Sequence, residues 1–434
     1  MNLSIAQKLL RFHWFALALM LMLCTTGIFF IYSATHLSQE MGLENSARQQ
    51  CIWLFLGLIG FFTLALINYE WLIQNGPIIF LGSIILLLSV IFFGTEIKGA
   101  KSWIRIGPVG FQPAEFSKIA FVVSMSWLML KFQDRIKKFP TLVLIILVAI
   151  IPVGLILAQG DFGSASVYGP MTYLMLVAAG IRKRWLALPI IGVIGICAFA
   201  YFGIYKADWN GKVNDIPRCT FDGTLVAMPL ISIDPEKLAE KRQALLVNSQ
   251  EIDEQDTNAL QKLWEKQLLK PYQVNRIRTF FEPELDPLGA GWTIRQSLIA
   301  VGSGGLRGKG YMRGEQQIYG FLPKDIAHND FIFAVIAEET GFLGGSILIA
   351  TIGFLLLFMV QIAVRAKDIG GCLLVSGIGG LFFAHFLVNV GMTIKVVPIT
   401  GIPLPLISYG GTFLVTCMAG LGIVQSVWIH RRDY

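Results

Sequence analysis

The main pattern along the chain is a series of long apolar runs separated by polar segments. Each run has about 18 or more residues, which is long enough to cross a bilayer as a helix. A helix satisfies its own backbone hydrogen bonds in hydrocarbon, so the runs predict helices. They fall at about residues 14–35, 51–68, 76–94, 113–130, 139–158, 162–180, 185–205, 331–364, 371–394 and 405–429. The pattern predicts an all-α polytopic membrane protein with about ten transmembrane helices.

Composition and charge agree with this class. The 434-residue chain is 55% hydrophobic and 15% charged, more apolar than a soluble domain of this size. The net charge of +7 does not indicate nucleic-acid binding, because basic residues gather between the spans. The clusters after spans four, six and eight are Lys131, Arg135, Lys137, Lys138, Arg182, Lys183, Arg184, Arg365 and Lys367. The positive-inside rule predicts that these segments and both termini are cytoplasmic.

A long polar segment, residues 206–328, lies between spans seven and eight and is predicted to be extracytoplasmic. It divides the chain into residues 1–205, 206–328 and 329–434. Residues 235–269 have leucines spaced as in an amphipathic helix, which predicts a helical insertion that is either solvated or a docking surface for an extracytoplasmic partner. Residues 271–328 combine glycine with basic residues, including Arg295, Arg307 and Lys309. Two interpretations remain for this part: a site for an anionic lipid head group, or a long loop with ordinary turns.

The most informative ionisable residue is Asp330, which directly precedes the eighth apolar run. A carboxylate near lipid is costly and is retained mainly for function or for capping. Asp330 or Asn329 could cap the helix, and Asp330 could also act as a general base. His328, two residues earlier, is expected to orient or hydrogen-bond its neighbours rather than to bind a metal.

Further polar residues interrupt the apolar runs. Glu115 and Lys118 share a helix face and form either a structural ion pair or part of a polar cavity wall. Asp161 is either a turn residue or a cavity residue. Adjacent Glu338 and Glu339 cannot share one helix face, so at least one of them needs a partner elsewhere. All of these features could meet in one outward-facing cavity.

Two further features each allow more than one structural interpretation. Prolines break the chain at residues 398–405, before Ser408 and Tyr409. Broken backbone at membrane depth is tolerated where it is buried in protein or lines a cavity. Cys51 and Cys219 both fall on the predicted outer side, where they could form a disulfide or remain free.

Four segments resemble signatures of the SEDS family (shape, elongation, division and sporulation). They are residues 99–118, 159–165, 286–310 and 401–412, and the resemblance extends over nearly the whole chain except about 207–268. The segment with Gln296 and the following glycine run is most similar to the RodA branch. Two departures occur near Asp330: Asn329 replaces the family's threonine, and the loop before Asp330 is about two residues longer. Gly160 also replaces a proline in the family's Gln-Pro-Asp.

The resemblance implies a peptidoglycan glycosyltransferase that polymerises lipid II for cell elongation, with Asp330 at the position of the family's essential carboxylate. It implies a location in the bacterial inner membrane and a class B penicillin-binding transpeptidase as partner, within an elongation complex of membrane proteins. A divalent cation, Mg²⁺ or Mn²⁺, is expected to bridge the pyrophosphate, and no protein metal site is assigned. Candidate substrate or cavity residues are Glu115, Lys118, Asp161, Arg295, Gln296, Arg307, Lys309, His328, Ser408 and Tyr409.

Two other functions remain open at this point. The intramembrane charges are also typical of a transporter or lipid II flippase, although no internal repeat is evident. A non-catalytic scaffold for other cell-wall proteins is the third possibility. Polymerisation that depends on Asp330 would distinguish the enzyme from both.

Overall fold

The computed structural model describes residues 4–36, 45–97, 100–106, 109–199, 218–219, 225–226 and 271–431. Most of these residues are helical. The elements of the N-terminal half are α1 (Ile5–Leu10), α2 (Trp14–Thr35), α3 (Ser46–Leu66), α4 (Tyr69–Gln74), α5 (Gly76–Phe93), β1 (Thr95–Ile97), β2 (Ala100–Ile106), β3 (Val109–Phe111), α6 (Pro113–Lys131), α7 (Phe139–Ala158), α8 (Phe162–Ser166), α9 (Tyr168–Ala178) and α10 (Lys183–Phe199).

The elements of the C-terminal half include two long helices, the last two before the C-terminal one, whose buried polar residues are discussed below. They are β4 (Arg218–Cys219), β5 (Leu225–Val226), α11 (Pro271–Phe281), α12 (Ala290–Ser303), α13 (Glu315–Ile318), α14 (Lys324–Ala327), α15 (Ile332–Val364), α16 (Ile369–Thr393) and α17 (Gly411–Ile429). Short 3₁₀ turns occur at Gln133–Arg135 and Pro283–Leu285.

The chain forms two compact units. The larger one comprises Met1–Gly192 and Thr293–Tyr434. Its centre is α17, which is buried along nearly its whole length and packs against α3 and α6. Beside it, α16 packs against α6, α9, α15 and α17. The outer helices instead leave large apolar side chains exposed, such as Phe92, Ile78 and Leu357. Exposed apolar belts around a buried core are expected for a helical bundle in lipid.

The smaller unit comprises Val193–Trp292. In it, β4 and β5 pair antiparallel, and the Asp286 carboxylate accepts hydrogen bonds from Asn275 Nδ2 (2.8 Å) and the backbone N–H of Ala290 (3.1 Å). A Cβ atom on Gly291 would lie 1.9 Å from the carbonyl oxygen of Pro283. At this position glycine therefore allows the carbonyl of Pro283 to approach the helix closely.

Seven of the described helices are long and apolar enough to cross a membrane: α2, α3, α5, α7, α15, α16 and α17. They correspond to seven of the ten predicted spans. The predicted spans at 113–130 and 185–205 correspond to α6 and α10, which are helical but outside this set. α6 is less apolar, and α10 has only 17 residues in the described part of the chain. The predicted span at 162–180 is divided between α8 and α9. Pro170 explains this division, because it lacks an N–H for the carbonyl of Ser166. The total of ten transmembrane helices remains a prediction.

A small antiparallel sheet, in the order β1-β2-β3, separates α5 from α6 and was not predicted. Pairing of β2 aligns Trp103 with Thr95 on one side and Ile104 with Phe111 on the other. Side chains alternate along β2 with the period of two that is typical of a strand. The segment has only seven residues, which is too short to be detected among the long apolar runs.

The predicted eighth span is broken at Gly341, which has a φ of 69° and a ψ of −166°. Residues 304–310 fill the break. The N–H groups of Lys309 and Gly310 donate to the carbonyls of Glu338 and Glu339 at 3.0 and 2.9 Å. These bonds replace the helical donors that the break removes, so no helical carbonyl is left without a donor at these two positions.

Three other predictions have different outcomes. The proposed helical insertion at 235–269 lies outside the described residues. Cys51 is a free thiol, so the disulfide with Cys219 is absent. The last helix starts at Gly411 rather than near residue 405, because the proline-containing segment 400–410 is not helical.

Candidate functional site

The site is built around the segment that precedes α15. The backbone N–H groups of Asn329 and Phe331 both donate to the carbonyl of Ile326, which makes a compact turn after α14. Asp330 is half-buried at the end of this turn. Phe331 occupies the N-cap position of α15 and makes no side-chain cap hydrogen bond. Neither Asn329 nor Asp330 therefore occupies the N-cap position considered from the sequence.

Three successive carbonyls of this turn are held by residues from other parts of the chain. The backbone N–H of Tyr409 donates to the carbonyl of His328 at 3.0 Å. Ser408 Oγ donates to the carbonyl of Asn329 at 2.6 Å. Asn389 Nδ2 donates to the carbonyl of Asp330 at 2.9 Å. These bonds fix the backbone at Asp330 before any ligand arrives, as a preorganised site requires.

The predicted residues Ser408 and Tyr409 thus meet His328 and Asp330 in space. The rings of His328 and Tyr409 lie 5.1 Å apart. Ser408 Oγ also accepts a hydrogen bond from the backbone N–H of Leu404 at 2.7 Å. His328 Nδ1 contacts the carbonyl of Lys324 at 3.1 Å, and this contact orients the ring.

Two residues of α16, His385 and Asn389, were not identified as site residues from the sequence. Asn389 Nδ2 donates to the carbonyl of Ile402 at 2.7 Å in addition to that of Asp330. His385 Nδ1 lies 3.1 Å from the carbonyl of Pro403. Because a carbonyl can only accept, this contact assigns the proton to Nδ1. The available signal was the i, i+4 spacing of two polar residues in an apolar span, which places both on one helix face.

The predicted pair of Glu115 and Lys118 is an ion pair of 2.8 Å, and both side chains are buried. Lys118 Nζ also lies 3.2 Å from His385 Nε2, the ring nitrogen that remains an acceptor. Through His385 the pair is therefore joined to α16, the helix whose Asn389 donates to the carbonyl of Asp330. A buried pair with a third hydrogen-bonding partner offsets part of its desolvation cost.

Asp161 lies in the turn before α8, as one of its two interpretations predicts. Its Oδ1 accepts a hydrogen bond from the backbone N–H of Ser164 at 2.9 Å and so caps α8. Its Oδ2 accepts a hydrogen bond from Gln112 Nε2 at 2.9 Å, at the start of α6. Asp161 consequently links the two helix starts whose sequences carry two of the resembling motifs.

The basic candidates lie in different environments. Arg295 is half-buried and Gln296 is buried on α12, whose Ser297 Oγ donates to the carbonyl of Thr393 on α16 at 2.9 Å. Arg307 is exposed. Lys309 contacts Glu338 at 2.8 Å and Glu315 at 3.1 Å. Burial alone would lower the pKa of Lys309. The two carboxylates favour the charged ammonium more strongly, so the net effect is a raised pKa. Lys309 therefore belongs to a separate acidic cluster.

In the part of the chain that the structure describes, the buried oxygens that accept no hydrogen bond include Glu115 Oε2, Asn329 Oδ1 and Asn389 Oδ1. A buried acceptor without a donor costs about 1–3 kcal/mol, so such atoms indicate a place for water or a ligand with O–H or N–H groups. Sugar hydroxyls and acetamido groups carry donors of this kind.

Comparison with known proteins is consistent with the resembling motifs. The family model FTSW_RODA_SPOVE, described as cell cycle protein, matches residues 13–216 and 259–433. The chain is 35% identical to peptidoglycan glycosyltransferase RodA of Treponema pallidum, over 96% of this chain and 97% of that protein. It is 32% identical to peptidoglycan glycosyltransferase MrdB of Escherichia coli K12, over 96% and 93% of the two chains.

Solved structures show the same fold. A chain from work described as "Structural coordination of polymerization and crosslinking by a peptidoglycan synthase complex" superposes with a TM-score of 0.66 at 25% identity, over 98% of this chain and 99% of that one. RodA of Thermus thermophilus gives a TM-score of 0.60 at 22% identity, over 98% of both chains.

Proposed function

Because this chain belongs to the FtsW/RodA/SpoVE family, which is the SEDS family, we propose that it is a peptidoglycan glycosyltransferase that polymerises lipid II into β-1,4 glycan strands. The similar proteins from Treponema pallidum and Escherichia coli carry this activity in their names. The observation that carries the proposal is the fixed turn at Asp330, whose carbonyl and the two before it are each held by a donor from elsewhere in the chain.

Asp330 is the proposed general base. The acceptor sugar's hydroxyl attacks the anomeric carbon of the donor, and the Asp330 carboxylate takes the hydroxyl proton. Undecaprenyl pyrophosphate leaves as the new bond forms, and direct displacement inverts the donor's α configuration to the β linkage. A positioned base of this kind contributes about 10²–10⁴-fold in rate.

The remaining residues bind and position. The buried oxygens of Asn329, Asn389 and Glu115 can accept from sugar hydroxyl and amide groups. Arg295, which is half-buried on α12, is a proposed contact for the pyrophosphate, because its planar guanidinium matches phosphate oxygens. Ser408 and Tyr409 hold the backbone beside Asp330 and act through it.

A divalent cation, Mg²⁺ or Mn²⁺, fits this site as an ion held chiefly by pyrophosphate oxygens. The described ranges contain no group of three or more His, Cys, Asp and Glu side chains suited to a metal, and Mg²⁺ is commonly held by one or two carboxylates plus phosphates. Asp330 would contribute one oxygen and keep the other for the proton. When bound, the ion would neutralise charge on the leaving pyrophosphate.

The same comparisons support a proposal for the cellular setting. The chain is proposed to act in cell elongation and rod shape, in the bacterial inner membrane, beside a class B penicillin-binding transpeptidase and other membrane proteins of an elongation complex. The solved complex with the same fold coordinates polymerisation with crosslinking, which supports such a partner. The partner is proposed to contact α15, α16 and the segment before them.

The experiment that tests the enzymatic proposal compares Asp330→Asn with Asp325→Asn. Both replace a carboxylate in the same short segment, but Asp325 is exposed. Purified proteins are incubated with lipid II and Mg²⁺ or Mn²⁺, and glycan strands are resolved on gels. Asp330→Asn should reduce the polymerisation rate about 10²–10⁴-fold, and Asp325→Asn should retain it. A folded Asp330→Asn protein that polymerises at the normal rate would exclude Asp330 as the base.

A further inference from the structure

The adjacent carboxylates Glu338 and Glu339 on α15 point to different neighbours and are not used by the proposed reaction. Glu338 Oε1 accepts hydrogen bonds from Lys309 Nζ at 2.8 Å and from the backbone N–H of Gln316 at 3.1 Å. The charge of Glu338 is therefore matched by Lys309. This contact supplies the partner that the sequence required for one of the two carboxylates.

Glu339 lacks such a counter-charge. Its side chain is only 2% exposed, and its Oε1 accepts a hydrogen bond from Ser33 Oγ on α2 at 2.5 Å. Its Oε2 is buried and accepts no hydrogen bond of normal geometry, although the backbone N–H of Met312 also faces this carboxylate. Among the described residues, no lysine, arginine or histidine forms an ion pair with Glu339. An isolated buried carboxylate is costly unless it is protonated or binds a cation.

A small cavity adjoins this carboxylate. Its volume is about 10 Å³, enough for one particle the size of a water molecule. The polar lining consists of Ser33, His36, Gln317 and Glu339, and His36 Nδ1 contacts the carbonyl of Ser33 at 2.7 Å. Gln317 is 8% exposed, and its Nε2 is buried with no acceptor. Rotation of the Gln317 amide by a half-turn exchanges the positions of Nε2 and Oε1. Oε1 would then occupy the buried position beside the cavity.

We propose that this cavity binds a single Na⁺ ion. The available ligand atoms are Glu339 Oε2, Ser33 Oγ and Gln317 Oε1, and oxygen ligands select hard cations. One carboxylate without a counter-charge matches one positive charge, whereas a divalent ion would leave an excess. The break at Gly341 follows directly after this site, and interrupted membrane helices are a known setting for bound Na⁺. The ion would join α2, α13 and α15 through Ser33, Gln317 and Glu339.

Binding can be measured without lipid II, so its outcome is independent of the proposed polymerase activity. Thermal unfolding of the purified full chain is followed at pH 8 while NaCl replaces choline chloride at constant ionic strength. A site that binds only the folded state should give a saturable rise of about 3 °C in melting temperature with Na⁺. Glu339→Gln should abolish this rise, because it removes the charge that attracts the ion.

Two further variants make the test decisive. Ser33→Ala removes one ligand but leaves the carboxylate, so it should fold and bind Na⁺ at least 10-fold more weakly. Glu70→Gln, which removes a carboxylate paired with Lys367 on the surface, should keep the full response. No Na⁺-specific rise in the parent protein, or an equal rise in Glu339→Gln, would overturn the site. An infrared band of a protonated carboxyl that disappears in Glu339→Gln would overturn it too, because the carboxylate would then hold a proton.

Discussion

At the scale of single residues, the polar side chains within the bundle mainly hold backbone. Asn389 donates to two carbonyls, and the proton on His385 Nδ1 points at a third, all from segments that are not helical. A buried carbonyl outside a helix has no donor of its own, so it needs one from a neighbour. The fixed position of Asp330 depends on residues of this kind as much as on its own segment.

Asn389→Leu is expected to destabilise the protein and to slow polymerisation. Leucine cannot donate to the carbonyls of Asp330 and Ile402, and each carbonyl left without a donor costs about 1–3 kcal/mol. Release of the turn at Asp330 should lower kcat about 10–100-fold with a smaller effect on KM, since misplacement of a catalytic group mainly affects the reaction step. Thermal unfolding and lipid II polymerisation at several lipid II concentrations measure both effects.

A matched control exists at Asn75, whose Nδ2 donates to the carbonyl of Trp71 at 2.8 Å at an exposed position. Asn75→Leu should leave melting temperature and kcat close to those of the parent, because water can replace the amide there. If the two variants behaved alike, Asn389 would have no special role in positioning Asp330.

At the scale of elements, the bilayer explains which predictions were confirmed. Apolar runs of bilayer length have one stable form, so seven predicted spans correspond to membrane-capable helices in the described residues. The break at Gly341 was not predicted, because Gly341 lies within a run that is apolar as a whole and the contacts that fill the break come from a distant segment, residues 304–310. His385 and Asn389 were missed for a related reason: the carbonyls that they contact are distant in sequence.

Gly341→Ala tests this break. Alanine disfavours a φ of 69°, and its Cβ would lie 2.3 Å from the backbone nitrogen of Gly308. A loss of at least about 2 kcal/mol in unfolding free energy is expected. Gly353→Ala is the control in the same helix, since its Cβ would meet no atom within 4 Å. That variant should match the parent or exceed its stability by about 0.5–1 kcal/mol. Equal stabilities of the two variants in thermal unfolding would mean that the break is not required.

At the scale of the whole molecule, the larger unit brings together motifs that are far apart in the chain. Residues 112–118, 161–164, 328–330, 385–389 and 402–409 are linked by the hydrogen bonds and ion pair described above. The four resembling segments and the candidate residues could be recognised from the sequence. Their arrangement could not, because it depends on these links between distant parts of the chain. Sequence spacing does not report which helices are neighbours.

The orientation of this assembly in the membrane follows from charge and remains to be measured. Basic residues gather after predicted spans four, six and eight, which predicts that Gln133 is cytoplasmic and that position 250 is extracytoplasmic. In a cysteine-free variant expressed in intact cells, a membrane-impermeant maleimide should label Ser249→Cys or Gln250→Cys. It should label Gln133→Cys only after the cells are lysed, because Gln133 is exposed but lies on the inner side. The reverse labelling pattern would place Asp330 on the cytoplasmic side. It would then be separated from lipid II presented on the outer surface, and polymerisation outside the cytoplasm by this residue would be excluded.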